Sequence, residues 1–152
     1  MDEIDRTILA CLQDDATMPL AEIASRVGLT STPCWRRIQK LESSGVIRGR
    51  VAILDAAALN VGVTVFVAVK TREHNYAWLK DFAAAVAEFP EVVEFYRMSG
   101  EIDYLLRVVV RDIADYDEFY KRLIGKASLS DVSSSFAMEQ IKYSTALPLH
   151  YA

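Results

Sequence analysis

The feature that most constrains the fold of this chain is a glycine-bearing turn between two helical patterns in its first third. Apolar residues recur with helical spacing over residues 20–27, and Gly28 follows where a helix commonly ends. Thr30 is a suitable N-cap for a second helix over residues 31–43, and Pro33 falls in its first turn, where a missing N–H is tolerated. The sequence therefore predicts a helix-turn-helix.

The second of these helices is predicted to be cationic on one side and apolar on the other. Cys34, Ile38 and Leu41 recur at positions i, i+4 and i+7, which predicts a buried stripe. Residues 26–50 hold six basic residues and one acid, a local charge of +5, in a chain whose formal net charge is -4. Because phosphate contacts are made by a local patch, this asymmetry favours a nucleic-acid partner.

The neighbouring patterns complete a predicted DNA-binding domain over residues 1–54. An amphipathic helix is predicted over residues 2–13, and residues 46–54 alternate around a glycine as a strand or small hairpin, a wing. A basic helix alone is typical of a solvated face, but this ordered set favours a winged helix that reads the major groove of double-stranded DNA. The predicted DNA contacts are Ser31, Thr32, Pro33, Arg36, Arg37, Lys40, Arg48 and Arg50. Trp35 has two interpretations: packing on the wing, which we favour, or lying against the sugar backbone.

The rest of the chain predicts a second domain over residues 63–152, after a linker over residues 55–62. Its apolar patterns give strands and helices in the order βαββαβ. Strands are predicted at residues 63–70, 92–98, 104–110 and 132–138, and helices at residues 76–89 and 113–123. The predicted fold class is α+β, a winged helix-turn-helix followed by a ferredoxin-like domain with an antiparallel sheet. Two helices cover only one face of such a sheet, so we expect a homodimer to cover the other.

The loop between the two middle strands carries Gly100, Glu101, Ile102 and Asp103. Glycine permits unusual backbone angles, and the two carboxylates flank a hydrophobic side chain. The loop could offer backbone amides and a carboxylate to a zwitterionic ligand. It could also be an ordinary acidic β-turn, which the spacing alone favours.

Composition excludes several other classes of protein. With 152 residues, 52% of them hydrophobic and 25% charged, the chain is predicted to be globular and not disordered. The two cysteines, Cys11 and Cys34, are too few for a disulfide framework and are expected to be buried free thiols. An acidic start and the lack of a long apolar run predict a soluble, cytoplasmic protein without a signal peptide or a membrane span.

The sequence holds no pattern that indicates catalysis or metal binding. The two histidines, His74 and His150, are expected in a loop and in the tail, and neither a phosphate-binding glycine loop nor a metal-ligand spacing occurs. We therefore expect neither an enzyme nor a metal or other cofactor. The alternative to DNA binding is a ligand-sensing module that acts through protein partners.

Four motifs in the two domains are similar to those of a known family. The motif IDRxIL begins at Ile4, LAEIAxRVGL at Leu20, TPCxxRIxxLExxGVI at Thr32 and GExDYLL at Gly100. Together and in this order they resemble the feast/famine (Lrp/AsnC) transcription regulators over nearly the whole chain. The resemblance implies a winged-helix DNA reader joined to an amino-acid-sensing domain. In that family the sensing domains dimerise, and the dimers often assemble further into octamers or related rings.

The same resemblance implies a place for a small effector, usually an amino acid, between dimers and against the glycine–acid loop. Carried over to this chain, the expected effector contacts are Gly100, Glu101, Ile102, Asp103, Ser134 and Ser135. Ile102 departs from the aromatic residue or threonine of many members and is expected to alter ligand choice. Residues 125–130 replace a Leu-Pro-Gly-Val type of turn, which concerns the local loop geometry and not the fold.

Overall fold

A computed structural model describes residues 1–126 and 128–152, and the chain divides into two compact units. The first unit comprises Met1–Ile53 together with Lys142–Ala152, and the second comprises Leu54–Ile141. Within the described residues, no helix has both the length and the apolar character needed to cross a bilayer. Ala127, in the segment that departs from the family's turn, lies outside the described residues.

Three helices form the first unit: α1 (Glu3–Asp14), α2 (Leu20–Arg26) and α3 (Ser31–Ser43). Gly28 and Gly45 follow α2 and α3 with φ of 68° and 76°, a conformation that glycine adopts at little cost. The buried core joins all three helices and consists of Ile8, Leu9, Cys11, Ile23, Ala24, Cys34, Ile38 and Leu41. The predicted helix-turn-helix and the buried stripe of its second helix are therefore present.

The predicted wing does not form within this chain. Residues 46–54 have no strand in the structure, and their exposed apolar side chains include Val51, which is 85% accessible. The backbone N–H of Ile47 donates to the Leu41 carbonyl at 3.0 Å, which ties the start of the segment to the end of α3. An isolated pair of short strands is marginally stable without a third strand or a covering helix, and this segment has neither.

The two compact units divide the chain differently from the predicted domains at the C-terminal end. We expected residues 63–152 to form one domain, but Lys142–Ala152 belong to the first unit. The physical reason is side-chain contact with α1: Gln13 bonds the backbone of Leu147, and Leu149 packs against the first unit's core.

The second unit has the predicted βαββαβ order, which confirms the fold class. Its elements are β1 (Val63–Lys70), α4 (Tyr76–Ala87), β2 (Val92–Arg97), β3 (Tyr104–Val110), α5 (Ile113–Lys126) and β4 (Asp131–Phe136). The four strands pair antiparallel in the spatial order β2-β3-β1-β4. The predicted linker at residues 55–62 contains a turn, in which the Asp55 carboxylate accepts from the backbone N–H groups of Ala57 and Ala58.

The two faces of the sheet differ in burial. Val65, Val67 and Val69 alternate along β1 on the face that α4 and α5 cover, and all three are buried. The opposite face has no cover among the residues that the structure describes, and it carries Phe66 at 39% and Tyr96 at 50% exposure. The sheet therefore has one apolar face closed by its own helices and one face open.

Candidate nucleic-acid interface and effector pocket

The outward surface of α3 is polar and cationic over its whole length. Thr32, Trp35, Arg36 and Lys40 recur at i, i+3, i+4 and i+8, opposite the buried stripe, and all four are exposed. Arg36 and Lys40 make no ion pair with any residue that the structure describes. Trp35 is 51% exposed, so its indole does not have the packed position that we favoured. Both cations are therefore available to a partner.

The start of α3 is open to a partner as well. Ser31, Thr32 and Pro33 form its first turn and are all exposed. Thr30 is the N-cap residue by its extended backbone, but its side chain makes no capping hydrogen bond. Unpaired N–H groups at a helix N-terminus favour anions, so this turn could receive a phosphate oxygen.

Arg37 differs from its neighbour Arg36 because its guanidinium is occupied. Its Nη1 donates to Asp2 Oδ2 at 2.7 Å and to Asp5 Oδ1 at 2.8 Å, and the side chain is 32% exposed. The backbone N–H of Asp5 and the Arg37 guanidinium both hold the pKa of Asp2 below its usual range, because both stabilise the carboxylate. The Asp5 and Asp2 carboxylates in turn raise the pKa of Arg37. This cluster joins the start of α1 to the middle of α3.

The two arginines beyond α3 also differ from each other. Arg50 Nη2 lies 3.0 Å from Glu42 Oε1, which folds the chain after α3 back onto the helix. Arg48 is exposed and makes no ion pair within the described part of the chain. Of the eight predicted DNA contacts, two arginines therefore have an intramolecular carboxylate partner.

The glycine–acid loop of the second unit is built around Asp103. Its backbone N–H donates to the Val69 carbonyl at 3.0 Å, and its own carbonyl accepts from the N–H of Met98 at 2.8 Å. Its side-chain Oδ2 accepts from the N–H of Thr71 at 2.8 Å, which fixes the chain after β1. Gly100 has φ of 121°, a value that disfavours any other residue there.

A cavity of about 230 Å³ borders this loop. The side chains that bear on its chemistry are His74, Asn75, Tyr76, Arg97, Met98 and Asp103. Asp103 Oδ1 lies 3.9 Å from His74 Nδ1 and has no closer cation among the described residues, so that oxygen remains available. The cavity therefore holds an anionic and a cationic group together, beside an apolar wall.

The serines of β4 are not brought to this cavity. Ser134 shares a short hydrogen bond with the Tyr116 hydroxyl on the helix-covered face, while Ser135 is exposed on the other face. Burial raises the pKa of Tyr116, an effect that the bond to Ser134 partly offsets. β4 is separated from β3, which Asp103 immediately precedes, by the whole of β1, about 10 Å across the sheet. Within one chain, these serines cannot share a small ligand with the loop.

Sequence reasoning missed most of the cavity. Arg97 ends β2 and Met98 follows it, whereas His74 to Tyr76 precede and begin α4, so together with Asp103 the group comes from three places in the sequence. The one available signal was Asn75, whose side chain accepts from the N–H of Trp78 as an N-cap and so marks a helix N-terminus beside the cavity.

Comparison with known proteins addresses both units. The model of the AsnC-type helix-turn-helix domain matches residues 1–42, and the model of the Lrp/AsnC ligand binding domain matches residues 64–147. The DNA-binding transcriptional activator DecR of Escherichia coli strain K12 is 53% identical over 150 residues, which are 98% of this chain and 99% of that protein. The chain belongs to the Lrp/AsnC family of transcription regulators. The predicted family is thus confirmed.

Solved structures of this Lrp/AsnC family agree with the fold. The crystal structure of an AsnC family transcriptional regulator from Agrobacterium tumefaciens has a TM-score of 0.96 at 64% identity and covers 99% of each chain. A transcriptional regulator from Neisseria meningitidis, solved in complex with L-Met, has a TM-score of 0.94 at 34% identity, covering 99% of this chain and 98% of that one. The relatives are named as transcription regulators and not as enzymes. In the described residues, no group of three or more His, Cys, Asp or Glu side chains could hold a metal ion.

Proposed function

We propose that this Lrp/AsnC-family regulator reads double-stranded DNA with the outward surface of α3 in the major groove. The observation that carries the proposal is a pair of cations, Arg36 and Lys40, that no described residue pairs with, on the exposed side of a helix whose other side is buried. Thr32 and the first turn of α3 lie at the end that would meet base edges, as in other helix-turn-helix proteins. Arg48 extends the cationic surface beyond the helix.

Arg37 is left out of this proposed contact set, although its sequence position suggested it. Asp2 and Asp5 already bind its guanidinium, and DNA would have to break both pairs to use it. A residue held in this way positions the helix and does not contribute a free charge. Arg50 is treated in the same way because it pairs with Glu42.

We further infer that two copies act together through the open face of the sheet. Phe66 and Tyr96 lie there, covered by none of the described residues, beside the ion pair of Glu94 and Arg107 at 2.8 Å. A two-fold dimer would bury these side chains and present two α3 helices, so we expect a roughly palindromic operator with half-sites spaced by whole turns of about 10 bp. Assembly of dimers into octamers stays an expectation from the family.

The effector is proposed to be a free amino acid in the cavity beside the glycine–acid loop. Arg97 could bind its carboxylate, and the free Oδ1 of Asp103 could bind its ammonium group, which is the charge pattern of a zwitterion. The N-terminus of α4 at Asn75 adds a favourable site for the carboxylate. The relative solved with L-Met supports an amino acid as the class of ligand. Gly100, Glu101 and Ile102 precede Asp103 in the loop but do not line the cavity, and Ser134 and Ser135 could contribute only from another subunit.

Two measurements test these proposals separately. A duplex is first selected from a random-sequence pool with the wild-type protein, and its affinity is measured by fluorescence anisotropy as a function of salt. Failure to enrich any sequence would refute DNA reading and favour a protein partner. A thermal-shift screen with each proteinogenic amino acid then tests the cavity, since a ligand at a hundredfold excess over its Kd stabilises the folded state by about 2.7 kcal/mol.

The cavity assignment has a matched pair of variants. Arg97→Gln removes the cation that lines the cavity, whereas Arg72→Gln removes an exposed arginine from the same unit that does not line it. We expect the amino-acid shift to disappear only in Arg97→Gln. An equal shift in both variants would place the effector elsewhere. Asp103 is a poorer choice for the test because its carboxylate also holds the N–H of Thr71.

A further inference from the structure

A segment from the far end of the sequence completes the DNA-binding unit. Lys142–Ala152, here called the strap, belong to the first unit although they follow the last strand of the second. The strap has no regular structure before a 3₁₀ turn at Leu149–Tyr151. Its position therefore depends on contacts with α1 and not on a strand or helix of its own.

The strap is held on α1 by a two-point contact with Gln13. The Gln13 Oε1 accepts from the backbone N–H of Leu147 at 2.7 Å, and its Nε2 donates to the Leu147 carbonyl at 3.2 Å. A primary amide can satisfy both backbone groups of one residue because it carries an acceptor and a donor side by side. Two turns earlier on the same helix, Arg6 Nη1 donates to a backbone oxygen of Ala152 at 2.9 Å.

Only part of the strap makes apolar contacts with the first unit. Leu149 packs against the core of the first unit, as do Leu12 and Ile47, whereas Leu147 is 73% exposed. A cavity of about 450 Å³ remains between the strap, α1 and residues 46–50. A segment with few buried contacts and exposed hydrogen bonds opens at a low free-energy cost. The strap is thus docked in a way that permits release.

We propose that the strap is a regulatory element of the DNA-binding unit, which holds α1 and α3 in their binding-competent arrangement when docked and loosens them when released. The core and the Arg37 cluster join α1 to α3. A change in the position or mobility of α1 therefore also changes the position or mobility of the DNA-reading surface. Residues 137–141 connect the strap to β4, so a ligand-induced change in the second unit acts on it through the chain. This inference rests on the proposed function for both DNA and amino acid.

A near-isosteric substitution tests the two-point contact. Gln13→Glu keeps the acceptor for the Leu147 N–H but sets a second oxygen against the Leu147 carbonyl, and its helix propensity is similar. Leu149→Ala releases the apolar contact independently. The matched controls are Ala84→Glu, which adds the same negative charge at an exposed position of α4, and Leu147→Ala, an exposed leucine in the same strap.

Three readouts are taken on the full-length protein. Amide hydrogen exchange is expected to become faster in α1 and the strap of both test variants, and to stay unchanged in β1 and β3. Affinity for the duplex selected by the wild type is expected to fall about fivefold to tenfold, the size of one lost hydrogen bond, without a change in salt slope. The ratio of DNA affinities with and without a mixture of the proteinogenic amino acids is expected to move towards one.

The outcomes separate this inference from the proposed function. A strap released by hydrogen exchange, with wild-type DNA affinity and a wild-type affinity ratio, would overturn the regulatory role. Unchanged exchange in both test variants would overturn the docking itself. If the wild type enriches no duplex or ignores all amino acids, the proposed function fails, and the exchange of α1 still decides whether the strap holds the helix.

Discussion

The adjacent arginines of α3 offer a sharp test of how this surface meets DNA. Arg36 is exposed and unpaired within the described residues, whereas the Arg37 guanidinium lies 2.7 Å from an Asp2 oxygen and 2.8 Å from an Asp5 oxygen. The perturbation is the same in both cases, Arg36→Gln and Arg37→Gln. Each removes one positive charge from the same region and keeps a side chain of good helix propensity. Net charge and local composition therefore cannot account for a difference between them.

The expected difference lies in the salt dependence of affinity. Each phosphate contact contributes about 0.9 to the slope of log K against log salt, so losing one in each half-site of a dimer reduces the slope by about 1.8. Between 50 and 200 mM salt that difference corresponds to about a tenfold smaller loss of affinity. We expect this change in Arg36→Gln. Arg37→Gln is expected to bind more weakly at every salt concentration with an unchanged slope, because it removes a tether and not a contact.

The assay is fluorescence anisotropy with the selected duplex across a salt series, together with thermal unfolding of each variant. Arg37→Gln should lower thermal stability, since it leaves Asp2 and Asp5 beside each other without a cation, and Arg36→Gln should not. Equal slope reductions in the two variants would refute the reasoning, because Arg37 would then leave its carboxylates to bind phosphate. An unchanged slope in Arg36→Gln would remove the main support for α3 as the DNA-reading helix.

Three further outcomes are expected. The pKa of Asp2 in the folded state lies below 3.8, so the ionised carboxylate stabilises the fold above that pH, and this stabilisation is lost as the pH falls through the lower folded-state pKa. In urea unfolding, the difference in stability between wild type and Asp2→Asn should therefore disappear on acidification. A difference that stays constant with pH would contradict this. Burial raises the pKa of Cys34, so native protein should resist alkylation at neutral pH until it unfolds, as followed by mass spectrometry; rapid labelling of native Cys34 would show that the core opens there. Phe66→Lys should weaken self-association in sedimentation experiments, because it places a charge on the open face of the sheet, whereas unchanged association would locate the interface elsewhere.

The spacing of apolar residues was sufficient to predict the helices and strands whose structure depends mainly on residues close in sequence. Cys34, Ile38 and Leu41 are buried as their spacing predicts, and Val63–Lys70 and Tyr104–Val110 have the predicted bounds. The helical and the alternating patterns both arise because one side of the element faces a core, so apolar residues recur with the period of that element. The prediction of the wing was wrong because a strand also depends on neighbours that are distant in sequence. Residues 46–54 have the alternation of a strand, but alternation does not supply the neighbouring strand that a strand needs.

Side-chain partners distant in sequence account for what could not be predicted about the site. Helical spacing places Arg36 opposite the buried stripe and Arg37 at its flank, but it does not reveal the carboxylates that occupy Arg37, which stand at positions 2 and 5. The cavity has the same character, since Arg97 and Asp103 meet His74 only through the pairing of three strands. A cationic run therefore identifies a helix as a candidate for DNA binding, while the tertiary ion pairs decide which of its charges remain available.

The strap extends this argument from single residues to domain boundaries. Residues 142–152 carry no helical or alternating pattern, so their sequence gives no reason to separate them from the domain that they follow. Their contacts with the first unit are the Gln13 amide, which matches the donor and the acceptor of Leu147, the bond from Arg6 to Ala152 and the packing of Leu149. The Gln13 contact contributes only about as much as a pair of exposed hydrogen bonds. Because that free energy is no larger than the coupling free energy that a ligand typically supplies, ligand binding can make or break the contact. A weakly docked strap of this kind is well suited to regulate the DNA-binding unit, because a ligand can release it.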